Sequence, residues 1–377
     1  MTFFPQAARQ IGKKVGLFLG YLVYLLLIIE VCSAIYSLSG LSPTRHMPPY
    51  VFSKDEVSVP LGDWRTEFED WGAWHQPNSK TRHIKACFDV TYRSNAAGAR
   101  DKPRTLAAAE HPRYIVLGDS FIEGWGVDEG ARVTERLEAM TGHEFLNFGG
   151  AINFGPLQYE ILYRQLAGRF EHDAVIVFLL PDNDFIDNDP AYWPSSTRYR
   201  PLFDAQGNAV YRVAKPDHAV TFSDKDWLPR SFLRYLWSYG IVLDVKRLLA
   251  AKNAHINPRR TAYVGYRDPN AKQINDVFSS LKRLHAAAAP RDVYLAAIPR
   301  VNDIQAYHQG EMLPLPGILT GFARQQGIVM LDLLPLLAAH PDYLSLYLPC
   351  DGHWNAQGHQ VVADAIYQAW FKQPDKP

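Results

Sequence analysis

Three cysteines in 377 residues are too few for a disulfide framework, so a hydrophobic core has to hold the fold. An excess of charge of either sign is also missing. Lys+Arg and Asp+Glu stand at 39 each, which leaves no net field to draw in nucleic acid or another polyanion. No nucleic-acid partner is expected. Asp351, His353 and His359 near the far end of the chain match no standard zinc spacing, and neither a metal nor another cofactor is expected. The chain does have the length for one large core with an appendage or two. Its aromatic content is 13%, which ordinary core packing accounts for in the main, although Trp and Tyr outside the strand-like stretches also suit stacking on sugars.

One long apolar run stands out, Val15 to Leu38, with a single acid, Glu30, towards its far end. Its length is close to the roughly 20 residues that span a bilayer. Arg9, Lys13 and Lys14 precede it, which by the positive-inside rule puts the N-terminus in the cytoplasm and everything after residue 38 outside. The expected arrangement is a single-pass membrane protein with a periplasmic or extracellular catalytic domain. A cleaved signal peptide is the rival, since Cys32-Ser-Ala34 offers small residues, but the run is longer than a signal core.

Three segments follow from composition: 1–38 as tail and anchor, 39–112 as a juxtamembrane β-rich segment with a linker, and 113–377 as one large domain with an insertion. In the second, Trp64, Trp71 and Trp74 lead into a loosely alternating strand from Ile84 to Arg93, and Ser94 to Gly98 reads as the turn that ends it. Thr105 to Pro112 is the exit linker. The third alternates. Tyr114 to Leu117, Phe145 to Phe148, Asp173 to Leu180, Val293 to Ile298 and Ile328 to Leu331 read as strands. Helical spacing lies between them, in Val133, Leu137 and Met140, in Leu157 through Phe170, and in Ala271 to Ala289. Such alternation predicts a three-layer α/β/α fold around a five-stranded parallel sheet with right-handed crossovers. If the strand order is flavodoxin-like, the first and third strands flank the crevice. An insertion of about 185–270 carries Tyr192, Trp193, Tyr199, Phe203, Tyr211, Phe222 and Trp227, then a helix-like run from Ser231 to Ala251. It reads as a lid or substrate wall, or as a spacer on the outer surface.

Within this pattern, Gly118-Asp-Ser120 ends the first strand, Pro181-Asp-Asn183-Asp184 follows the third, and Asp351-Gly-His353-Trp354-Asn355 precedes a last helix. Each alone reads as a turn or a helix cap. Together they resemble the SGNH (GDSL-like) hydrolases, over roughly Tyr114 to the C-terminal helix. The resemblance implies Ser120 as nucleophile, His353 as base, Asp351 as its acidic partner and Asn183 as an oxyanion donor, with Pro181 where the family has Gly. Gly352 would let the chain turn so that Asp351 reaches the His353 ring. The family's block-two glycine matches less closely: Asn147-Phe-Gly-Gly150-Ala-Ile152 puts Gly150 or Ile152 at the second oxyanion donor. Asp-x-His-Trp in place of Asp-x-x-His resembles the alginate-type polysaccharide O-acetyltransferases of the same superfamily.

The resemblance implies a serine esterase acting on acyl esters, with an acetylated glycan of the envelope or extracellular space as substrate, or a polysaccharide O-acetyltransferase using the same triad. A reading of another class is a catalytically silent module that binds glycan or belongs to envelope polysaccharide machinery. Cys87 and Cys350 either pair, as an oxidising compartment allows, or stay as two buried thiols.

Overall fold

A computed structural model describes residues 4–39, 41–42, 47–48, 57–58, 64–68, 70–85, 87–108, 112–150, 154–192, 199–211, 233, 235–254 and 263–372. Trp193, Phe222 and Trp227 of the insertion, and Ile152, lie outside the described residues.

The first element is a helix, Phe4–Leu38, within which Gly12–Leu38 is long and apolar enough to cross a membrane. Short strands follow: β1 (Val57–Ser58), β2 (Arg65–Phe68), β3 (Gly72–His75), β4 (Lys80–Lys85) and β5 (Phe88–Arg93). β2 and β3 form one antiparallel pair, while β4 pairs antiparallel with β5 and parallel with β1. The single strand expected from Ile84 to Arg93 is therefore a hairpin, with Ile84 opposite Asp89 and Lys85 opposite Phe88. Its turn at Lys85-Ala-Cys87 carries no Gly, Pro, Asn or Asp, so nothing local marks it.

The large sheet consists of β6 (Arg113–Gly118), β7 (Glu144–Gly149), β8 (Ala174–Leu179), β11 (Asp292–Ala297) and β12 (Val329–Asp332). Its order is β12-β11-β8-β6-β7, and every pairing is parallel. Taking the five strands in chain order, this is the flavodoxin-like 2-1-3-4-5 arrangement, and the strand order and layers are those the SGNH resemblance implies. β8 at the centre is Ala-Val-Ile-Val-Phe-Leu and buried at every residue, as a strand covered on both faces must be. Helix Pro156–Gln165 packs on Ala271–Ala288, and Phe278 of the latter stacks on Phe322 of helix Leu315–Gln326. Helix Val133–Thr141 packs on the last helix, Ala356–Ile366. These two sets form the outer layers.

In the insertion, β9 (Pro201–Phe203) and β10 (Ala209–Tyr211) make an antiparallel hairpin. It is tied to the core through Phe203 N–H, which donates to the Asn188 carbonyl at 2.9 Å. The helix-like run appears as Tyr239–Ala254, later than its apolar pattern starts, because residues 235–238 form turns ahead of it.

Candidate active site

β6 and β8 are neighbours from which the chain departs in opposite directions, so their carboxyl ends open the crevice where α/β sheets hold ligands. Ser120 stands there as the first residue of the helix Ser120–Glu123, a position whose backbone N–H has no acceptor inside its own helix. Asp119 caps that helix by accepting from Phe121 N–H at 3.0 Å. Gly124 ends it in the left-handed region at φ 83°.

Opposite it, the loop after Leu348 doubles back. Asp351 and Gly352 N–H both donate to the Leu348 carbonyl, and Leu348 N–H donates to the His353 carbonyl at 2.7 Å. Gly352 takes φ 85°, a conformation that side-chain-bearing residues rarely adopt, and this allows a residue two positions earlier to reach the histidine ring. Asn355 then caps the last helix, accepting from Gln357 and Gly358 N–H. Its capping role and the placement of His353 belong to one turn.

The result is a relay. Ser120 Oγ–H donates to His353 Nε2 at 2.7 Å, and His353 Nδ1–H donates to Asp351 Oδ1 in a short hydrogen bond. Burial lowers the imidazole below its ordinary value, against the upward pull of the Asp351 carboxylate, so the ring stands neutral and able to accept a proton at neutral pH. Burial alone would raise Asp351, but the hydrogen bond and charge of His353 and the ammonium of Lys85 hold it below the usual carboxylate range.

Pro181-Asp182-Asn183-Asp184 is the first turn of a short helix, Pro181–Asp187, with the proline at its start. Its three polar residues go separate ways. Asp182 accepts from Arg300 Nη1 at 2.6 Å, and Asp184 is buried, accepting from Tyr159 Oη at 2.9 Å and Leu180 N–H at 2.8 Å. Asn183 donates from Nδ2 to Asp119 Oδ2 at 3.2 Å, which puts its amide beside the residue preceding Ser120 and leaves the second amide hydrogen for another acceptor. Burial pushes Asp119 up to about 7, against the downward pull of Phe121 N–H and the Asn183 amide.

Gly150 does not match the expected donor role. Its N–H is already given to the Gly118 carbonyl at 3.0 Å, continuing the β6–β7 ladder by one rung. The neighbouring Gly149 explains why glycine stands in this stretch: a Cβ there would lie 2.2 Å from Glu123 N, so a side chain would push the serine helix off the sheet.

Trp354 is fully buried, edge-on to Phe121 at 4.9 Å and to His359 at 5.6 Å, so its indole packs the site from below. His359 is buried too, and accepts from Val133 N–H at 3.3 Å.

Residues of the segment before the large sheet reach the site, and apart from Cys87, whose pairing with Cys350 was one of two readings, they were not singled out from sequence. Lys85, from the end of β4, donates to Asp351 Oδ2, the oxygen that His353 leaves free, and its ammonium lies 5.2 Å from the Trp125 ring centre. Cys87 and Cys350 are bonded, fastening the β4–β5 hairpin next to Asp351. His75 Nε2 meets Glu123 Oε1 at 3.1 Å, both fully buried, while Tyr92 Oη accepts from Gly126 N–H at 2.7 Å. Trp125 flanks the His353 ring at 5.7 Å. The only sequence signal for any of these was the even number left when Cys32, in the apolar run, is set aside.

Neither a scan of family models nor a search of curated proteins returns a match to this chain. Among solved structures, a member of the lipolytic protein G-D-S-L family from Veillonella parvula is 13% identical, with 69% of this chain and 99% of that chain covered at a TM-score of 0.39. The lipase/acylhydrolase from Enterococcus faecalis is 10% identical, with 71% and 100% covered at 0.37. The Clostridium thermocellum family 3 carbohydrate esterase is 11% identical, with 69% and 94% covered at 0.36. All three are named for ester or lipid hydrolysis. Likenesses with TM-scores under 0.5 carry no functional argument, and the functional reading rests on the hydrogen bonds of the site itself.

Proposed function

We propose that this protein is a serine esterase of SGNH type. Ser120 Oγ attacks the ester carbonyl carbon while His353 Nε2 takes its proton, and Asp351 stabilises the imidazolium. Collapse of the tetrahedral intermediate breaks the bond to the leaving alcohol, which receives that proton from His353. Water then adds to the acyl-enzyme with His353 again as base, releasing the acid and Ser120. Ser120 N–H and the free amide hydrogen of Asn183 stabilise the oxyanion. The observation that carries this reading is the Ser120–His353–Asp351 relay, with its 2.7 Å contact from hydroxyl to neutral imidazole.

The substrate is an acyl ester, and an O-acetyl group on an envelope or extracellular glycan fits the expected placement. The helix Gly12–Leu38 is an uncleaved anchor, and the basic residues before it keep the N-terminus in the cytoplasm and the catalytic domain outside. Carbonate extraction of membranes should leave the full-length chain in the pellet; release of a shortened soluble protein would make the segment a cleaved signal.

The experiment that tests the enzyme reading is covalent labelling with a fluorophosphonate, mapped by mass spectrometry. Adduct on Ser120, absent from Ser120→Ala, is the expected result, and an unreactive Ser120 would favour the silent binding module. The Asp-Gly-His-Trp sequence favours a second reading, transfer of the acyl group to a sugar hydroxyl. Transfer requires an acceptor held in place with water kept away. A fully buried Trp354 offers no stacking face for that acceptor, and hydrolysis is placed first. Products from an activated acetyl ester, with and without oligosaccharides, separate the two: acetylated sugar forming faster than free acetate would reverse the order.

A further inference from the structure

The helix Tyr239–Ala254 in the insertion has no role in the chemistry above, yet it is seated on the N-terminal helix. Two contacts fix how. Glu30, the only acid in the apolar run, accepts from Trp237 N–H at 2.7 Å and Ser238 N–H at 3.3 Å, and from the Ser238 hydroxyl. Further along, Ser42 Oγ, just past the end of the N-terminal helix, donates to Asp244 Oδ2 at 2.6 Å. Residues 237–238 meet position 30 and residue 244 meets position 42, so the two helices run side by side in the same direction. Ser33 and Ser37, one turn apart and buried, are small enough to allow close approach, and Gly240 is buried on the other helix.

Depth follows from the rise of a helix. The middle of Gly12–Leu38 is Leu25, and Glu30 lies five residues beyond it, about 7 Å inside the outer edge of a roughly 30 Å hydrocarbon core. Trp237 and Ser238 share that depth. Ile241, Val242 and Val245, which follow on the rising helix, are 42%, 46% and 47% exposed, and Leu233 and Tyr235 before it are exposed as well. In water this would be an apolar face left bare; at this depth it meets acyl chains. The polar groups agree with the same placement. A carboxylate inside a bilayer needs partners, and so do the backbone N–H groups of the turn ahead of a helix. Here each satisfies the other.

We propose that the start of Tyr239–Ala254 is a second membrane element, set in the outer leaflet beside the anchor with Ile241 and Val242 against lipid chains, while Asp244 and the residues after it stand at the headgroup level with Ser42. The inference rests on the anchor reading. It makes the insertion a re-entrant segment: the chain leaves the catalytic domain after β10, dips to the level of Glu30 and rises back along the anchor. The catalytic domain is thereby held to the membrane surface at two points, which suits esters presented close to that surface.

The test uses the full-length chain carrying Cys32→Ser, reconstituted in phosphatidylcholine–phosphatidylglycerol vesicles with the Cys87–Cys350 bond intact. Single cysteines are placed at Ile241, at Leu22 in the anchor, and at exposed Ala107 on the catalytic domain. Each is probed with a membrane-impermeant maleimide, and separately with a fluorophore quenched by lipids spin-labelled along the acyl chain. The expected result is labelling at 241 at least tenfold below that at 107, with acyl-chain quenching at both 241 and 22. Quenching at 22 with free labelling at 241 overturns the proposal and leaves the anchor intact; protection at 241 without quenching overturns it in favour of a protein partner. Free labelling at both overturns the anchor and the proposal together. Val242→Cys serves the same readout if the Ile241 variant does not fold. Adding Glu30→Ala should raise labelling at 241 several-fold with 22 unchanged, and an unmoved 241 would overturn the role given to Glu30.

Discussion

The two halves of the candidate site are built in different ways. Ser120 and Asn183 stand where β6 and β8 end, each in the first turn of a helix that continues its own strand, so the sheet itself positions them. Asp351 and His353 stand in a loop outside the sheet, and what fixes that loop comes from elsewhere: Lys85 and Cys87 on the β4–β5 hairpin, 263 residues away along the chain in the case of the disulfide. The half that holds Ser120 and Asn183 is thus a property of the α/β core, while the half that holds Asp351 and His353 is shared between that core and the strands before it. Breaking the first should remove the reaction, whereas loosening the second should leave an enzyme that works less well and over a different pH range.

The largest effect is expected from Ser120→Ala. No other hydroxyl takes its place in the relay, so kcat should fall by at least about 10³-fold, with residual turnover from the oxyanion donors alone. Thermal unfolding should be nearly unchanged, within about 0.5 kcal/mol, because the half-buried hydroxyl has His353 as its one side-chain partner among the described residues. Turnover retained in this variant removes the proposed mechanism.

Asn183→Ala comes next. Losing one donor to the oxyanion costs roughly 10²–10³ in kcat in a comparable serine enzyme. KM should change little, since the developing charge exists only in the transition state. The same substitution strips Asp119 of a hydrogen-bond donor that lowers its pKa, so an unchanged kcat would mean that Asn183 serves Asp119 and not the reaction.

These two residues lie on the half of the site that was legible in the sequence, and the reason is physical. Apolar strands with period-free burial, helical spacing and Gly-Asp-Ser at a strand end are local signals, alternation with right-handed crossovers implies the layers, and the strand order is what the SGNH resemblance implies. The parallel sheet came out in the flavodoxin-like 2-1-3-4-5 order. Lys85 was not legible. Its meaning depends on a hairpin turn without turn residues and on a contact spanning 266 positions, and neither leaves a periodic trace. Gly150 does not fit the expected role for a related reason, since a glycine present because a Cβ would lie 2.2 Å from Glu123 N, as at the neighbouring Gly149, looks the same, in sequence, as one freeing an N–H for an oxyanion.

Lys85→Met tests the second half directly. Charge-assisted hydrogen bonds contribute about 1.5–3 kcal/mol, so a loss felt fully in the transition state lowers kcat roughly 10- to 100-fold. A merely structural role would predict no change in pH dependence, but this one does. His353 has to be neutral to act as base, and since burial lowers its pKa, the acid limb of kcat/KM should fall below about pH 6.5 in the parent protein. The Lys85 ammonium adds to that lowering. Without it the imidazole binds its proton more readily, and the acid limb should move to higher pH, while Lys85→Arg should restore most of the original profile. An acid limb that stays in place would make Lys85 a packing residue.

The smallest catalytic effect is expected from removing the disulfide with Cys87→Ala and Cys350→Ala. The bond joins the residue two positions after Lys85 to the residue just before Asp351, so it holds the approach of lysine to carboxylate without taking part in it. Other contacts hold the same segment. Tyr92 Oη accepts from Gly126 N–H, Arg100 donates to the carbonyls of Glu123, Gly124 and Val127, and His75 meets Glu123. With these in place the hairpin should stay docked in the folded state, and kcat should fall only a few-fold with KM unchanged. The main loss should appear in stability, about 2–4 kcal/mol, because the cross-link closes a long loop and its removal frees the unfolded chain. Denaturant unfolding and initial rates on the same preparations separate the two quantities. A kcat as low as that of Lys85→Met, with that variant's raised acid limb, would show that the non-covalent contacts cannot keep Lys85 on Asp351, and that the acid–base half depends on the oxidised bond.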